Sequence, residues 1–107
     1  MEVWGISTCD TVRKARAALP GAVYRDVRAV PLAADERAAL IAAFGDRIVN
    51  RASATWRKLS EAERSASLDV LLATHPTLMK RPVIRDDQGA LHLGWSAEVR
   101  QAIGVSG

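Results

Sequence analysis

Cysteine is nearly absent from this chain of 107 residues, which has only Cys9. An internal disulfide is excluded. Cys9 is then buried, solvent-exposed and reactive, or paired with another molecule. A structural zinc site also lacks donors, because the two histidines, His75 and His92, are far apart in sequence and have no ligand company. No metal is expected. Phe and Tyr occur once each, so Trp4, Trp56 and Trp95 carry most of the aromatic mass. In a small domain such residues are core and rim more often than a stacking surface for bases. No apolar run approaches a bilayer span, and the first residues lack the basic region, long apolar stretch and cleavage site of a secretory signal. A cytoplasmic protein with no membrane partner is expected. A charge excess of one sign is lacking too. The 15 Lys and Arg are interspersed with 12 Asp and Glu for a net charge of +3. The pI near 9.6 gives mild attraction to anions, and no nucleic-acid partner is expected.

What is present is enough apolar material, 49% of residues, for one modest core, and a single domain over residues 1–107 is expected. Residues 2–6 read as a buried first strand that stops at Ser-Thr-Cys-Asp. Residues 11–19 have helical spacing, with Val12, Ala15, Ala18 and Leu19 on one side and Arg13, Lys14 and Arg16 largely on another, and Pro20-Gly21 ends them. Residues 22–27 have the β-branched and aromatic content of a second strand, completing a βαβ unit. Residues 32–44, between Pro31 and Gly45, form a helix rich in Ala and Leu. Helical pieces follow over 55–59 and 59–72, broken near residues 60–63, where Ser60 and Glu63 fit a capping box. Residues 81–85 and 90–93 then form a hairpin across Asp86-Asp87-Gln88-Gly89. Ser96 caps a last helix through Ile103, Gly104 ends it, and the final residues fray. The order βαβ, helices, ββα predicts a small mixed sheet flanked by helices.

In that frame Cys9 sits between the first strand and the first helix. A thiol there faces unpaired backbone N–H groups and the positive end of the helix dipole, both of which favour thiolate. Arg13 and Lys14 add positive potential and Asp10 opposes them. A lone cysteine is commonly a small buried hydrophobe. The carboxyl end of a strand in an α/β unit, however, is where such folds place ligands and chemistry.

The runs "GISTCDTVRKARAAL", "NRASATWRKL", "LMKRPVI" and "LHLGWSAE", in that order and spacing, resemble the arsenate-reductase-like family (ArsC/Spx/YffB), most closely its YffB-type branch. The resemblance covers nearly the whole chain. It implies an α/β, thioredoxin-like (glutaredoxin-like) fold, with a helical insertion over about residues 32–74 between the βαβ and ββα halves. It implies that Cys9 is the catalytic cysteine. Val12 stands where dithiol relatives carry a second cysteine, so the resolving thiol is external. The family precedent is glutathione as co-substrate, with glutaredoxin as a helper and no bound cofactor. Thr8, Asp10 and Thr11 would supply backbone or hydroxyl donors around the sulfur. Arg51 and Arg81 match family arginines that hold an anion, and Pro82 matches the cis-proline beside the active cysteine. Arsenate reductases proper carry a third arginine where this chain has Gly94 and Trp95; Arg85 and Arg100 do not match the motif. The implied function is a glutathione-dependent thiol reductase acting on an arsenate-like oxyanion or on a thiol or disulfide. The alternative is an Spx-like regulatory module that binds protein without catalysis, although Val12 removes the dithiol switch of that branch. A monomer is expected.

Overall fold

Val3 and Trp4 are both buried, and a strand buried on both faces belongs at the centre of a sheet. The computed structural model, which describes residues 1–105, places β1 (Glu2–Gly5) between β2 (Val23–Asp26) and β3 (Val83–Arg85), with β4 (Leu91–Leu93) outermost beside β3. β1 runs parallel to β2, with Gly5 opposite Asp26, and antiparallel to β3, with Trp4 opposite Val83. β3 and β4 form the antiparallel hairpin. The parallel pair is joined by α1 (Asp10–Ala18). With its helical insertion this is the thioredoxin-like, mixed α/β architecture.

The alternation of side chains along β1 and β3 divides the interior in two. Trp4 and Val83 face one side with Leu40, Leu71, Leu72, Leu78 and Met79 of the insertion. Val3 and Ile84 face the other with Val12 and Ala15 of α1, where half-buried Tyr24, Trp95, Val99 and Ile103 complete the packing. Cys9 touches both clusters. It lies at the end of the sheet where the two halves of the core meet.

The insertion is more broken than the sequence predicts. It comprises α2 (Ala34–Phe44), a 3-10 turn (Gly45–Ile48), three short helices, α3 (Ala54–Arg57), α4 (Glu61–Arg64) and α5 (Leu68–Thr74), and a second 3-10 turn (Pro76–Leu78). α2 starts two residues later than expected, because the Glu36 carboxylate reaches back to accept the Ala33 N–H at 2.7 Å and fixes the first turn there. Ala33 has no side-chain oxygen to reciprocate, so this is half of a capping box. The full box forms at Ser60 and Glu63, with bonds of 2.9 and 3.1 Å. The helix expected to run on to Leu72 instead stops at Arg64. The Ser65 hydroxyl donates to the Ala62 carbonyl at 2.7 Å, the amides of Ser65 and Ala66 make tight i→i−3 bonds, and Ser67 caps α5 by accepting from the Val70 N–H. An isolated bridge between Val49 and Met79 ties the insertion back to the chain entering β3.

After the hairpin, Ser96 caps α6 (Ala97–Ala102) by accepting the Val99 N–H at 3.3 Å. Gly104 has φ +82°, donates to the Gln101 carbonyl, and lets Val105 donate to the Arg100 carbonyl. That paired pattern is a Schellman stop, which favours glycine at the left-handed position. The fraying expected at the end concerns residues 106 and 107, which lie outside the described residues. Among the described residues no helix is long and apolar enough to cross a membrane.

Candidate active site

The site begins at a glycine. A Cβ on Gly5 would lie 2.5 Å from Val12 Cγ2, so the bare backbone at the end of β1 is what lets α1 pack so closely. The chain then turns over residues 6–9, where the Cys9 N–H donates to the Ile6 carbonyl at 3.2 Å and the Cys9 carbonyl accepts the Arg13 N–H at 3.0 Å. Cys9 is the N-cap of α1, in extended geometry (φ −88°, ψ 121°). Ser, Thr, Asp or Asn usually holds that place and caps with oxygen. Here a half-exposed sulfur faces the open amides instead.

Among the described residues the neutral thiol makes no side-chain capping hydrogen bond of ordinary geometry. Its ionised form is nevertheless favoured. Burial pushes the thiol up, but the backbone N–H groups of Val12 and Thr11, together with a hydrogen bond and the charge of Arg81, outweigh it and bring Cys9 below its ordinary value. Arg81 is half-buried, and its Nη1 donates to the Thr77 carbonyl at 2.8 Å. The Thr77 hydroxyl meets the Thr55 hydroxyl at 2.8 Å, so α3 and the second 3-10 turn brace the arginine. The next peptide, Arg81-Pro82, is cis, and the Pro82 carbonyl accepts the Gly94 N–H at 2.8 Å.

The other residues singled out in the sequence lie as follows. Thr11 contributes its amide, and Val12, passed over as a mere replacement for a second cysteine, contributes the stronger one. The Thr8 carbonyl accepts from Arg13 at 3.3 Å, and exposed Asp10 pairs with the same arginine at 3.2 Å. Arg51 is engaged elsewhere. Its guanidinium donates to the Asp46 carbonyl at 3.2 Å and carboxylate at 3.3 Å, lies 5.2 Å from the Trp56 ring centre, and lines an open cleft with Arg47, Asn50 and Lys80. Arg85 pairs with Glu2 at 3.8 Å, and Arg100 donates to the Trp95 carbonyl at 2.7 Å. Each histidine meets a carboxylate: His92 lies 2.9 Å from Asp86 and His75 lies 3.7 Å from Glu63. No group of three metal-ligating side chains occurs among the described residues.

Sequence reasoning missed the contacts that hold the thiol loop from outside. Asp26, Arg28 and Ser7 form a connected polar group beside it, and Arg13 folds back onto the Ser7 carbonyl at 3.2 Å. Only the position of Asp26 at the carboxyl end of a strand hinted at this.

Comparison with known proteins follows the same outline. The ArsC family model matches residues 4–103. An uncharacterized protein of Haemophilus influenzae is 37% identical over 110 residues, spanning 94% of this chain and 95% of that protein. Among solved structures, a YffB protein is 28% identical with a TM-score of 0.83, covering 95% of this chain and 96% of its own. An arsenate reductase related protein from Brucella melitensis is 31% identical with a TM-score of 0.72, over 94% and 91%. The arsenate reductase of Vibrio cholerae, 15% identical with a TM-score of 0.67 over 99% and 98%, shares the fold.

Proposed function

This chain belongs to the ArsC family, and we propose on that basis that it is a thiol-dependent reductase with Cys9 as nucleophile. The observation that carries the reading is the half-exposed Cys9 at the N-cap of α1, where the amides of Thr11 and Val12 and the Arg81 guanidinium favour its ionised form. A thiolate, and not a thiol, is the attacking species in thiol–disulfide exchange.

With a disulfide, the Cys9 thiolate attacks one sulfur, forms a mixed disulfide and expels the other half as a thiolate. The chain has no second cysteine, so an external thiolate must attack that mixed disulfide. It returns Cys9 as thiolate and leaves bonded to the first half of the substrate. Glutathione is the thiol we assign to this step, with glutaredoxin as a protein that can take it over, and such chemistry suits the reducing cytoplasm. With arsenate, two such thiols would supply the two electrons, becoming a disulfide while the oxyanion is reduced to arsenite and water is released. A disulfide substrate fits better. The oxyanion needs several converging donors, whereas Arg51 is held on Asp46 and Gly94 and Trp95 supply no guanidinium.

The test is glutathione-dependent reduction of a small mixed disulfide and of arsenate, coupled to NADPH through glutathione reductase, with wild-type protein and Cys9→Ser. Wild-type turnover that vanishes in Cys9→Ser supports the proposal. Turnover that persists in Cys9→Ser, or none in wild type with either substrate, rejects it.

A further inference from the structure

Residues 6–9 carry the thiol, yet Ser7 and Thr8 are exposed. What fixes them is polar. The Ser7 N–H points at Asp26 Oδ2, at 3.4 Å the long limit of a hydrogen bond, and the Ser7 hydroxyl accepts from Arg28 Nη2 at 3.1 Å. Arg28 is itself seated on Asp26: its backbone N–H donates to Oδ1 at 2.8 Å, its Nε to Oδ1 at 3.3 Å and its Nη2 to Oδ2 at 3.0 Å. From the other side Arg13 of α1 donates to the Ser7 and Thr8 carbonyls. The two arginines grip the loop from the sheet and from the helix, and Asp26 aligns one of them. The parallel register puts Asp26 opposite Gly5, and the Val27 N–H donates to the Gly5 carbonyl at 2.9 Å, so this support is built on the sheet itself.

We propose that Asp26 and Arg28 are positioning residues for Cys9, an ion pair that holds Ser7 so that the sulfur meets the open amides of α1 and the Arg81 guanidinium. This rests on the reading of Cys9 as the nucleophile. Neither residue touches the thiol in the contacts described, and both act through Ser7. The Arg28 hydrogen bond, opposed by desolvation and assisted by the backbone N–H groups of Arg28 and Ser7, holds the Asp26 carboxyl at about 2. The pair therefore stays ionised wherever a cysteine can be titrated. The other charged or titratable groups around it are Tyr24, whose ring lies beneath Arg16, and the Asp10–Arg13 pair on α1.

Two explanations of any effect can be separated by sign. Asp26→Asn removes a negative charge from beside the loop that carries the sulfur. If Asp26 acted only through its field, the thiolate would gain and Cys9 would react faster at neutral pH. If it acts by positioning, the released Arg28 and Ser7 let the loop move and Cys9 reacts more slowly. The experiment is the second-order rate of Cys9 alkylation by iodoacetamide, from pH 5 to 9 and well below the unfolding midpoint, for wild type, Asp26→Asn, Arg28→Ala and Arg28→Lys. The proposal expects a drop of up to about tenfold at pH 7 for Asp26→Asn and Arg28→Ala, the change in thiolate fraction that a rise of about one unit in the Cys9 midpoint produces. Partial recovery is expected in Arg28→Lys, which keeps one donor. An unchanged or faster Asp26→Asn rate overturns it. So does a lower unfolding midpoint with unaltered Cys9 reactivity, which is a merely structural role. An ordinary thiol profile in wild type would instead reject the nucleophile reading, a result visible before any variant is compared.

Discussion

Replacing Gly5 by Ala probes the closest approach in the site. The new Cβ would stand 2.5 Å from Val12 Cγ2, 2.9 Å from Cγ1 and 3.3 Å from Val12 Cβ. Rotating the valine cannot clear all three, because its Cβ does not move with χ1 and a valine in a helix is held to one rotamer in roughly 90% of cases. α1 must shift by about 1 Å to restore ordinary carbon contacts of about 3.5–4.0 Å. Overpacking of this kind costs about 1–3 kcal/mol, offset by up to about 1 kcal/mol from the lower chain entropy of Ala. A net loss of about 1–2 kcal/mol lowers the unfolding midpoint by roughly 5–15 °C in a chain this size. Because the Val12 amide is one of those favouring the thiolate, the same shift slows Cys9 alkylation at neutral pH. Scanning calorimetry and the alkylation rate measure the two effects. In the double variant with Val12→Ala the combined penalty should be less than the sum of the two, since both Cγ clashes are gone and only the 3.3 Å approach to the Cβ of residue 12 remains. A Gly5→Ala protein as stable and as reactive as wild type refutes the packing argument.

Arg81→Ala removes the hydrogen bond and charge that act on Cys9. The alkylation profile should move to higher pH, and affinity for an anionic substrate should fall roughly 10- to 100-fold, the loss of one charged hydrogen bond worth about 1.5–3 kcal/mol. An unmoved profile and unchanged affinity would exclude Arg81 from the site. Ser67→Ala removes the cap of α5, the helix that buries Leu71 and Leu72, and should cost about 0.5–2 kcal/mol in urea unfolding; an unshifted midpoint contradicts the cap. Asp26 also predicts the acid limb of stability. Its folded value of about 2 lies below the ordinary 3.8, so its contribution is complete above the ordinary value and is lost as pH falls from there through the folded one. Between pH 5 and 2, wild type should therefore lose more stability than Asp26→Asn, and parallel losses would show that the pair does not stabilise the fold.

The strands, the βαβ start, the terminal hairpin and the capping box at Ser60 and Glu63 were legible because each rests on local pattern. The break at residues 65–67 was not, since two serines and an alanine before Leu68 carry no strong stop signal, and the decisive bonds are side chain to backbone. Within the site, the place of Cys9 at the head of α1 followed from the switch between strand and helix period. The bracing of Thr77 by Thr55, and of the thiol loop by Asp26 and Arg28, depends on contacts between segments distant in the chain. Pattern along a chain does not encode those. Arg51, which the motif marks as an anion ligand, turns back instead onto Asp46 five residues earlier, a choice of partner that the motif does not encode.

The pH dependence of Cys9 alkylation in the wild-type protein tests the central claim most directly. A single titration with its midpoint below the ordinary cysteine value of 9.0 is the predicted result. A midpoint at or above that value would show that the amides of Thr11 and Val12 and the Arg81 guanidinium do not make Cys9 a nucleophile.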